Sequence, residues 1–293
     1  MHCKMTMDEA DLILAARRFV RSVEGLSVPV SLDAYVRKVE AKLCYADLPG
    51  GQSGYSGKIG GKWTIVINSN ERLERQRFTI CHEIAHIHLN LPTNHEGNSD
   101  SGFYTKRPQN EVFCDIFAAE ALLPSDLFRP RVDEAEISFS SVDRLADEFT
   151  ASLTATGSRF AFLNRAFCAF VLAERRFVRY AARSPSLKEI KAWIPNGYKV
   201  PPSSLAALGK DLLSTDHRAV DPTEWFEDWN RGGTLFEEAR YLPQWDQTLS
   251  LLWFEEDELP SGGRHEVGLD EDTDPYCREL DGNLSWPDRS KRR

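Results

Sequence analysis

The sequence contains no apolar run that approaches the roughly 20 residues a helix needs to span a bilayer. The first 19 residues, MHCKMTMDEADLILAARRF, also lack the apolar stretch of a secretion signal. The C-x-x-C pattern is absent, and the six cysteines are scattered along the chain. Without a secretion signal, such cysteines are expected to be reduced thiols. We therefore expect a cytoplasmic protein that does not enter the membrane.

An excess of basic residues is also missing. The formal net charge is −9 and the sequence pI is about 5.4, which argues against a broad nucleic-acid-binding surface. At 41% hydrophobic and 28% charged residues, the composition is that of an ordinary globular protein. A chain of 293 residues is long enough for two domains.

The stretch FTICHEIAHIHLN, residues 78–90, carries the most specific chemical pattern in the chain. On a helix, His82 and His86 lie about 40° apart and one turn from each other, so both imidazoles can reach one metal ion. Glu83 lies about 100° round from His82, where its carboxylate can take a proton from a water molecule. The side of the helix opposite to the histidines carries three isoleucines, which predicts that this face is buried: Ile80, Ile84 and Ile87. The H-E-x-x-H pattern also occurs on solvated helices without a metal, and a catalytic zinc usually takes three protein ligands.

A third ligand is available in residues 110–128, NEVFCDIFAAEALLPSDLF. The pattern predicts a helix with Asn110 as N-cap and Pro124 after its end. Glu111 and Glu120 are nine residues apart, about 180° round a helix, so only one of them can face the metal.

The residues that share a helix face with each glutamate indicate which of the two is the metal ligand. Glu120 shares its face with apolar side chains that resemble core: Phe113, Ile116 and Phe117. Glu111 shares its face with Asp115, so we interpret Glu111 as the ligand. Asp115 is placed to hydrogen-bond a ligating histidine, and the alternative for it is a solvated surface acid.

Three segments together resemble one known family. They are KWTIVIN (62–68), RQRFTICHEIAH (75–86) and EVFCDIFAAEALLP (111–124), and they resemble the ImmA/IrrE metallo-endopeptidases of bacteria and phages over roughly residues 5–130. The resemblance implies a zincin-like fold, zinc bound by His82, His86 and Glu111, and Glu83 as the catalytic base. It also implies a cytoplasmic enzyme that cleaves a repressor-type regulator. Cys81 departs from the small apolar residue usual at its position, and we expect its side chain to pack in the interior.

The rest of the chain predicts an α+β protein in four parts. A metallopeptidase domain (1–135) is followed by helix-turn-helix-like helices and a hairpin (136–184), a small α/β module (185–258) and a disordered tail (259–293). Five of the seven tryptophans fall in the module, which we expect to guide substrate access. In the helical pair, Asp143, Asp147 and Glu148 precede the candidate reading helix, so direct nucleic-acid binding is not expected.

Two features near the metal pattern leave alternatives open. The strand 62–68 is either an edge strand that pairs with an extended substrate or an ordinary core strand. In the polar loop 90–110, His95 and Tyr104 are either hydrogen-bond donors to the oxyanion formed on attack or plain surface residues.

The function predicted from the sequence is zinc-dependent peptide-bond hydrolysis, with Mn²⁺ as an alternative ion. The expected substrate is a protein, such as a helix-turn-helix repressor or similar regulator. Two competing hypotheses are a catalytically silent module that holds a partner and a DNA-binding regulator that acts through residues 138–163. The presence of Glu83 argues against the first, and the acidic balance argues against the second.

Overall fold

The computed structural model describes residues 9–49, 51–92, 108–212 and 217–260. Helices and β-sheets are both present, which confirms the α+β class. The chain divides into two compact units. Residues of Met1–Phe128 and Ala146–Ser152 form the first, and residues of Arg129–Leu145 and Leu153–Asp270 form the second. Among the described residues, no helix is both long and apolar enough to cross a membrane.

The first unit holds a three-stranded sheet and the helices that carry the metal pattern. Its elements are α1 (Glu9–Arg21), α2 (Leu32–Lys38), β1 (Lys42–Ala46), β2 (Gly54–Ile59), β3 (Lys62–Asn68), α3 (Leu73–His88) and α4 (Gln109–Leu122). Helix α4 packs against both α1 and α3. Phe19 of α1 meets Phe117 of α4 with ring centroids 5.3 Å apart, and the Tyr35 hydroxyl of α2 donates to the Ala121 carbonyl at 3.1 Å. The core of this unit therefore lies behind the metal-pattern helices and holds them together.

Strand β3 is the central strand of this sheet. It pairs in parallel with β1 and antiparallel with β2, in the order β1-β3-β2. The edge-strand interpretation of residues 62–68 is therefore wrong, and the core-strand alternative is right. The cause is the turn at Gly60 and Gly61, whose φ angles of 59° and 80° fold β2 back along β3 as a hairpin. Within the described part of the chain, β2 has a strand partner on one side alone.

Helix α4 begins earlier than the sequence pattern predicts. The backbone N–H groups of Glu111 and Val112 donate to the carbonyl of Pro108, at 3.0 and 3.3 Å, which makes Pro108 the N-cap. Asn110 therefore lies inside the first turn, and its assignment as N-cap is wrong. Because a proline just before a helix has its φ fixed and lacks an N–H, it suits this position sterically without a capping side chain.

The second unit is built on a five-stranded antiparallel sheet. Helices α5 (Ser125–Asp133) and α6 (Phe139–Phe149) contain residues of both units. The remaining elements are α7 (Leu153–Leu163), β4 (Cys168–Glu174), β5 (Phe177–Arg183), α8 (Pro185–Glu189), β6 (Arg218–Val220), α9 (Pro222–Trp225), β7 (Leu235–Leu242) and β8 (Gln247–Phe254), with 3₁₀ turns at Leu205–Asp211 and Glu256–Glu258. The two predicted helices of residues 138–163 are present as α6 and α7.

The strand order of this sheet is β5-β4-β8-β7-β6. The hairpin predicted within residues 136–184 is confirmed as β4 and β5, whose turn places Arg175 and Arg176 in the left-handed region at φ 50° and 65°. Because β4 pairs with β8, the sheet takes strands from both sides of residue 184. The domain border predicted between residues 184 and 185 therefore lies between strands that belong to the same sheet. Of the predicted tail, residues 261–293 lie outside the described residues.

Candidate active site

Helix α3 buries three polar side chains that its sequence pattern singles out. His82, Glu83 and His86 are 8%, 1% and 2% exposed. A buried polar group is costly unless it is hydrogen-bonded or bound to an ion, so three of them on one helical turn need partners. Those partners come from α4 and β2, since α3 packs against both elements.

The ring nitrogens of the two histidines converge with the carboxylate of Glu111. His82 Nε2 lies 3.2 Å from His86 Nε2 and 3.1 Å from Glu111 Oε2. His86 Nε2 lies 3.5 Å from Glu111 Oε1. Glu111, which the helical spacing favours over Glu120, therefore lies beside His82 and His86. These are the three side chains predicted to hold a metal.

These side chains fit a metal ion. At metal–ligand distances of about 2.0–2.2 Å, atoms of a tetrahedral site lie about 3.3–3.6 Å from one another, close to the spacing of this triangle. Glu111 Oε1 is buried and has no hydrogen-bond partner among the described residues. An oxygen of a carboxylate that is buried without a donor is costly, and a cation beside it would remove that cost.

Asp115 lies one turn after Glu111 and contacts the far side of the His82 ring. Its Oδ1 is 2.9 Å from His82 Nδ1. With the proton on Nδ1, the ring donates to Asp115 and presents the lone pair of Nε2 to the triangle, as ligating histidines commonly do. The structure thus places Asp115 beside His82 and half-buried, rather than as a fully solvated acid.

The contacts within the cluster favour a positive charge on His82 and a negative charge on Glu111. Burial alone lowers the pKa of His82, but hydrogen bonds with Asp115 and Glu111 outweigh it and raise the pKa to about 9. Burial likewise acts to raise the pKa of Glu111, but the neighbouring His82 and His86 rings hold that pKa well below its ordinary value. Without a metal, these contacts therefore favour the protonated form of His82 and the ionised form of Glu111.

Replacing Asp115 by alanine is expected to weaken zinc binding by about 10–100-fold, because the His82 ring loses the acceptor that sets its orientation and tautomer. Competition with a chromophoric chelator measures the dissociation constant. Asp126→Asn is the matched control, since this exposed carboxylate pairs with Arg21 away from the histidines. Equal affinities of the Asp115→Ala variant and the control would contradict the role of Asp115.

Glu120, the competing candidate, is committed elsewhere. Its carboxylate accepts hydrogen bonds from the backbone N–H and the hydroxyl of Ser125, at 2.9 and 3.1 Å, and lies 3.7 Å from Arg17 Nε. It therefore anchors the start of α5 and a residue of α1, on the face of α4 opposite to Glu111.

Two residues at the site were missed by the sequence analysis. Cys114 Sγ and a ring nitrogen from each of His82 and His86 all lie within 4.8 Å of one another. Its spacing of three residues from Glu111 is a signal for the same helix face that could have been used. Ser56 donates from its hydroxyl to Glu83 Oε2 at 2.7 Å. No local pattern reveals that contact, because 27 residues separate the partners.

The other candidates in the described part of the chain lie away from the cluster. His88 packs between Phe19 and Phe117, with ring centroids 4.8 and 5.7 Å away, which fits a structural histidine. His95 and Tyr104 lie outside the described residues. Cys81 is fully buried, as expected of a packing residue.

The segment that contains this cluster is similar to a domain of known proteins. Residues 36–161 match the model of the IrrE N-terminal-like domain, a peptidase family. The resemblance of this segment to the ImmA/IrrE family is confirmed. A curated relative, the radiation response metalloprotease IrrE of Deinococcus deserti, is 32% identical over 111 residues, which are 34% of this chain. The match covers 36% of the relative, so this chain spans about a third of that protein's length.

A solved structure resembles the chain over a longer stretch. A Mycobacterium tuberculosis transcriptional regulator aligns with a TM-score of 0.52 over 83% of this chain and 76% of its own, at 11% sequence identity. At that identity the likeness concerns the fold. The IrrE-like segment contains His82, Glu83, His86, Glu111 and Asp115, and a metallopeptidase-type domain implies a bound metal.

Proposed function

We propose that this protein is a zinc-dependent metallo-endopeptidase with a zincin-like catalytic domain. The observation that carries the proposal is the convergence of His82, His86 and Glu111 on one point, with all three side chains buried. Two imidazoles and one carboxylate are a donor set typical of catalytic zinc. Mn²⁺ is the alternative ion, because a carboxylate-containing site suits it as well.

The proposed chemistry divides between the ion and Glu83. Bound zinc supplies Lewis acidity, which lowers the pKa of a water molecule and polarises the scissile carbonyl. Glu83 follows His82 directly in sequence, is almost fully buried, and lies close enough to that histidine for its charge to raise the pKa of the ring. It accepts the proton of the attacking water and returns it to the nitrogen of the leaving amine. One carboxylate thereby acts as base and then as acid.

The proposed substrate is a protein with an extended segment, such as a helix-turn-helix repressor or a similar regulator. Strand β2 is an edge strand and contacts the metal-pattern helix α3. Its outer side can take up an extended backbone as an additional strand. We assign this role to β2 in place of residues 62–68, and we keep recognition of the regulator as the proposed role of residues 185–258.

A DNA-binding regulator is the weaker alternative. A reading helix needs accessible polar side chains. In α7, Thr156, Ser158 and Arg159 are 0%, 5% and 3% exposed. The Ser158 hydroxyl also donates to the Thr154 carbonyl at 2.8 Å and bonds the Tyr180 hydroxyl at 2.6 Å. The burial of these three side chains argues against α7 as a DNA-reading helix.

The activity itself is tested with an unstructured peptide library. Zinc-loaded protein is incubated with the library, and mass spectrometry maps the cleaved bonds. We expect cleavage at a restricted set of sites, its loss on treatment with a chelator, and its return when zinc is restored. No cleavage by protein that carries stoichiometric zinc, on the library and on candidate regulators alike, would contradict the proposal.

Replacing Cys114 by serine is expected to leave zinc affinity within a few-fold of the parent value, because Glu111, and not the thiol, is the proposed third ligand. Cobalt reports the ligand atoms directly, since a bound thiolate gives an intense near-ultraviolet charge-transfer band. We expect no such band in the cobalt-loaded protein. Cys81→Ser is the control for loss of a buried thiol on the neighbouring helix. A band that Cys114→Ser alone removes would make Cys114 a ligand.

A further inference from the structure

The Ser56 hydroxyl connects the edge strand β2 to the proposed base. Its oxygen is 2.7 Å from Glu83 Oε2, and the two residues are 6% and 1% exposed. The hydroxyl is the donor and the carboxylate oxygen is the acceptor, at a distance typical of a good hydroxyl–oxygen hydrogen bond.

The packing of β2 on α3 brings this pair together. A Cβ added to Gly54 would lie 2.8 Å from Thr79 Cγ2 of α3 and 2.8 Å from the Val66 carbonyl of β3, so only glycine allows the strand to lie this close. Gly54 and Ser56 are two residues apart and share one face of the strand. Thr79 and Glu83 are four residues apart and share one face of the helix.

The spacing between Gly54 and Ser56 along β2 is close to the spacing between Thr79 and Glu83 along α3. Two residues of a strand advance about 6.6 Å and four residues of a helix about 6.0 Å, so both contacts can form along the same line. Gly54 meets Thr79 at the first, and Ser56 meets Glu83 at the second. The close approach at Gly54 thus determines where the Ser56 hydroxyl lies.

We propose that Ser56 is a positioning residue for Glu83, and this rests on the proposed peptidase function. By donating to Oε2, Ser56 fixes the side-chain torsions of Glu83 and therefore the direction from which the carboxylate meets the attacking water. A glutamate has three rotatable side-chain bonds, and a misplacement of about 1 Å in a catalytic group can cost about 10²-fold in rate. Because Ser56 belongs to the edge strand proposed to bind substrate, the base is positioned by the element that contacts the peptide.

The test is Ser56→Ala, measured by steady-state kinetics on a cleaved library peptide. We expect kcat to fall about 10–100-fold, with KM and zinc content close to the parent values, because the change affects the base and not the binding of peptide or ion. Ser56→Thr retains the hydroxyl and is expected to recover most of the lost kcat. Thr64→Val is the matched control, since it removes a buried hydroxyl from the neighbouring strand β3.

Three results would overturn the positioning role. They are unchanged kcat in Ser56→Ala, a loss that is accompanied by loss of zinc, and a loss of the same size in Thr64→Val. Each presupposes that the parent protein cleaves the peptide and that Glu83→Gln loses most of this activity.

Absence of that activity would contradict the proposed function and leave the Ser56–Glu83 contact to be judged separately. For this purpose the metal-free variants Ser56→Ala, Glu83→Ala and their combination are compared by thermal unfolding. The contact predicts Tm shifts that fail to add by about 2 °C or more, and additive shifts would refute it.

Discussion

The substitution Glu83→Gln is expected to lower peptide-bond cleavage by about 10²–10⁴-fold while the protein keeps its fold and its zinc. The amide cannot take the proton of the attacking water, and this loss acts on the chemical step. The fold is retained because the amide oxygen can still accept the Ser56 hydroxyl. Zinc is retained because His82, His86 and Glu111 are unchanged.

The measurement for this variant pairs kcat/KM on a library-derived peptide with zinc content and thermal unfolding of the same preparation. Glu74→Gln, in the first turn of α3, is the matched control for loss of one carboxylate on that helix. Near-parental cleavage by Glu83→Gln would remove Glu83 from the mechanism. Loss of zinc from the variant would instead make Glu83 part of the metal site.

The second large effect separates the two glutamates of α4. Glu111→Ala is expected to reduce zinc affinity by more than the ~10–100-fold expected for Asp115→Ala, because it removes a ligand and not a group that orients one. Glu120→Ala is expected to retain zinc. It should instead lower the free energy of unfolding by about 1–3 kcal/mol, since the Ser125 N–H loses its acceptor in the interior.

Zinc titration and thermal unfolding of both variants provide the comparison. Each variant acts as the control for the other, because both remove a buried carboxylate from the same helix. If Glu120→Ala loses zinc and Glu111→Ala retains it, the assignment of the two faces of α4 is wrong.

Local periodicity explains which parts of the site could be predicted from the sequence. His82 and His86 occupy one face of α3 by their spacing alone. The nine-residue separation of Glu111 and Glu120 forces them to opposite faces of α4, and the apolar neighbours of Glu120 favour Glu111 as the ligand. Asp115 follows from the same helical phase. These conclusions need nothing beyond the geometry of one helix at a time.

The remaining features depend on contacts between distant segments. The central place of β3 follows from its pairing with β1 as well as with β2, and the order of strands in a sheet is not written in any one strand. The same holds for β4, which pairs with β8 across about 75 residues. Ser56 reaches Glu83 because β2 packs closely on α3 at Gly54. A sequence pattern confined to one element contains no information about such an approach.

X-ray absorption at the zinc edge of the wild-type protein identifies the atoms bound to the ion, and so tests whether His82, His86 and Glu111 hold it. We expect one zinc per chain, surrounded by nitrogen and oxygen at about 2.0–2.2 Å, with outer-shell scattering from two imidazoles. A sulfur shell at about 2.3 Å, scattering from a different number of imidazoles, or no stoichiometric zinc would contradict a site formed by His82, His86 and Glu111.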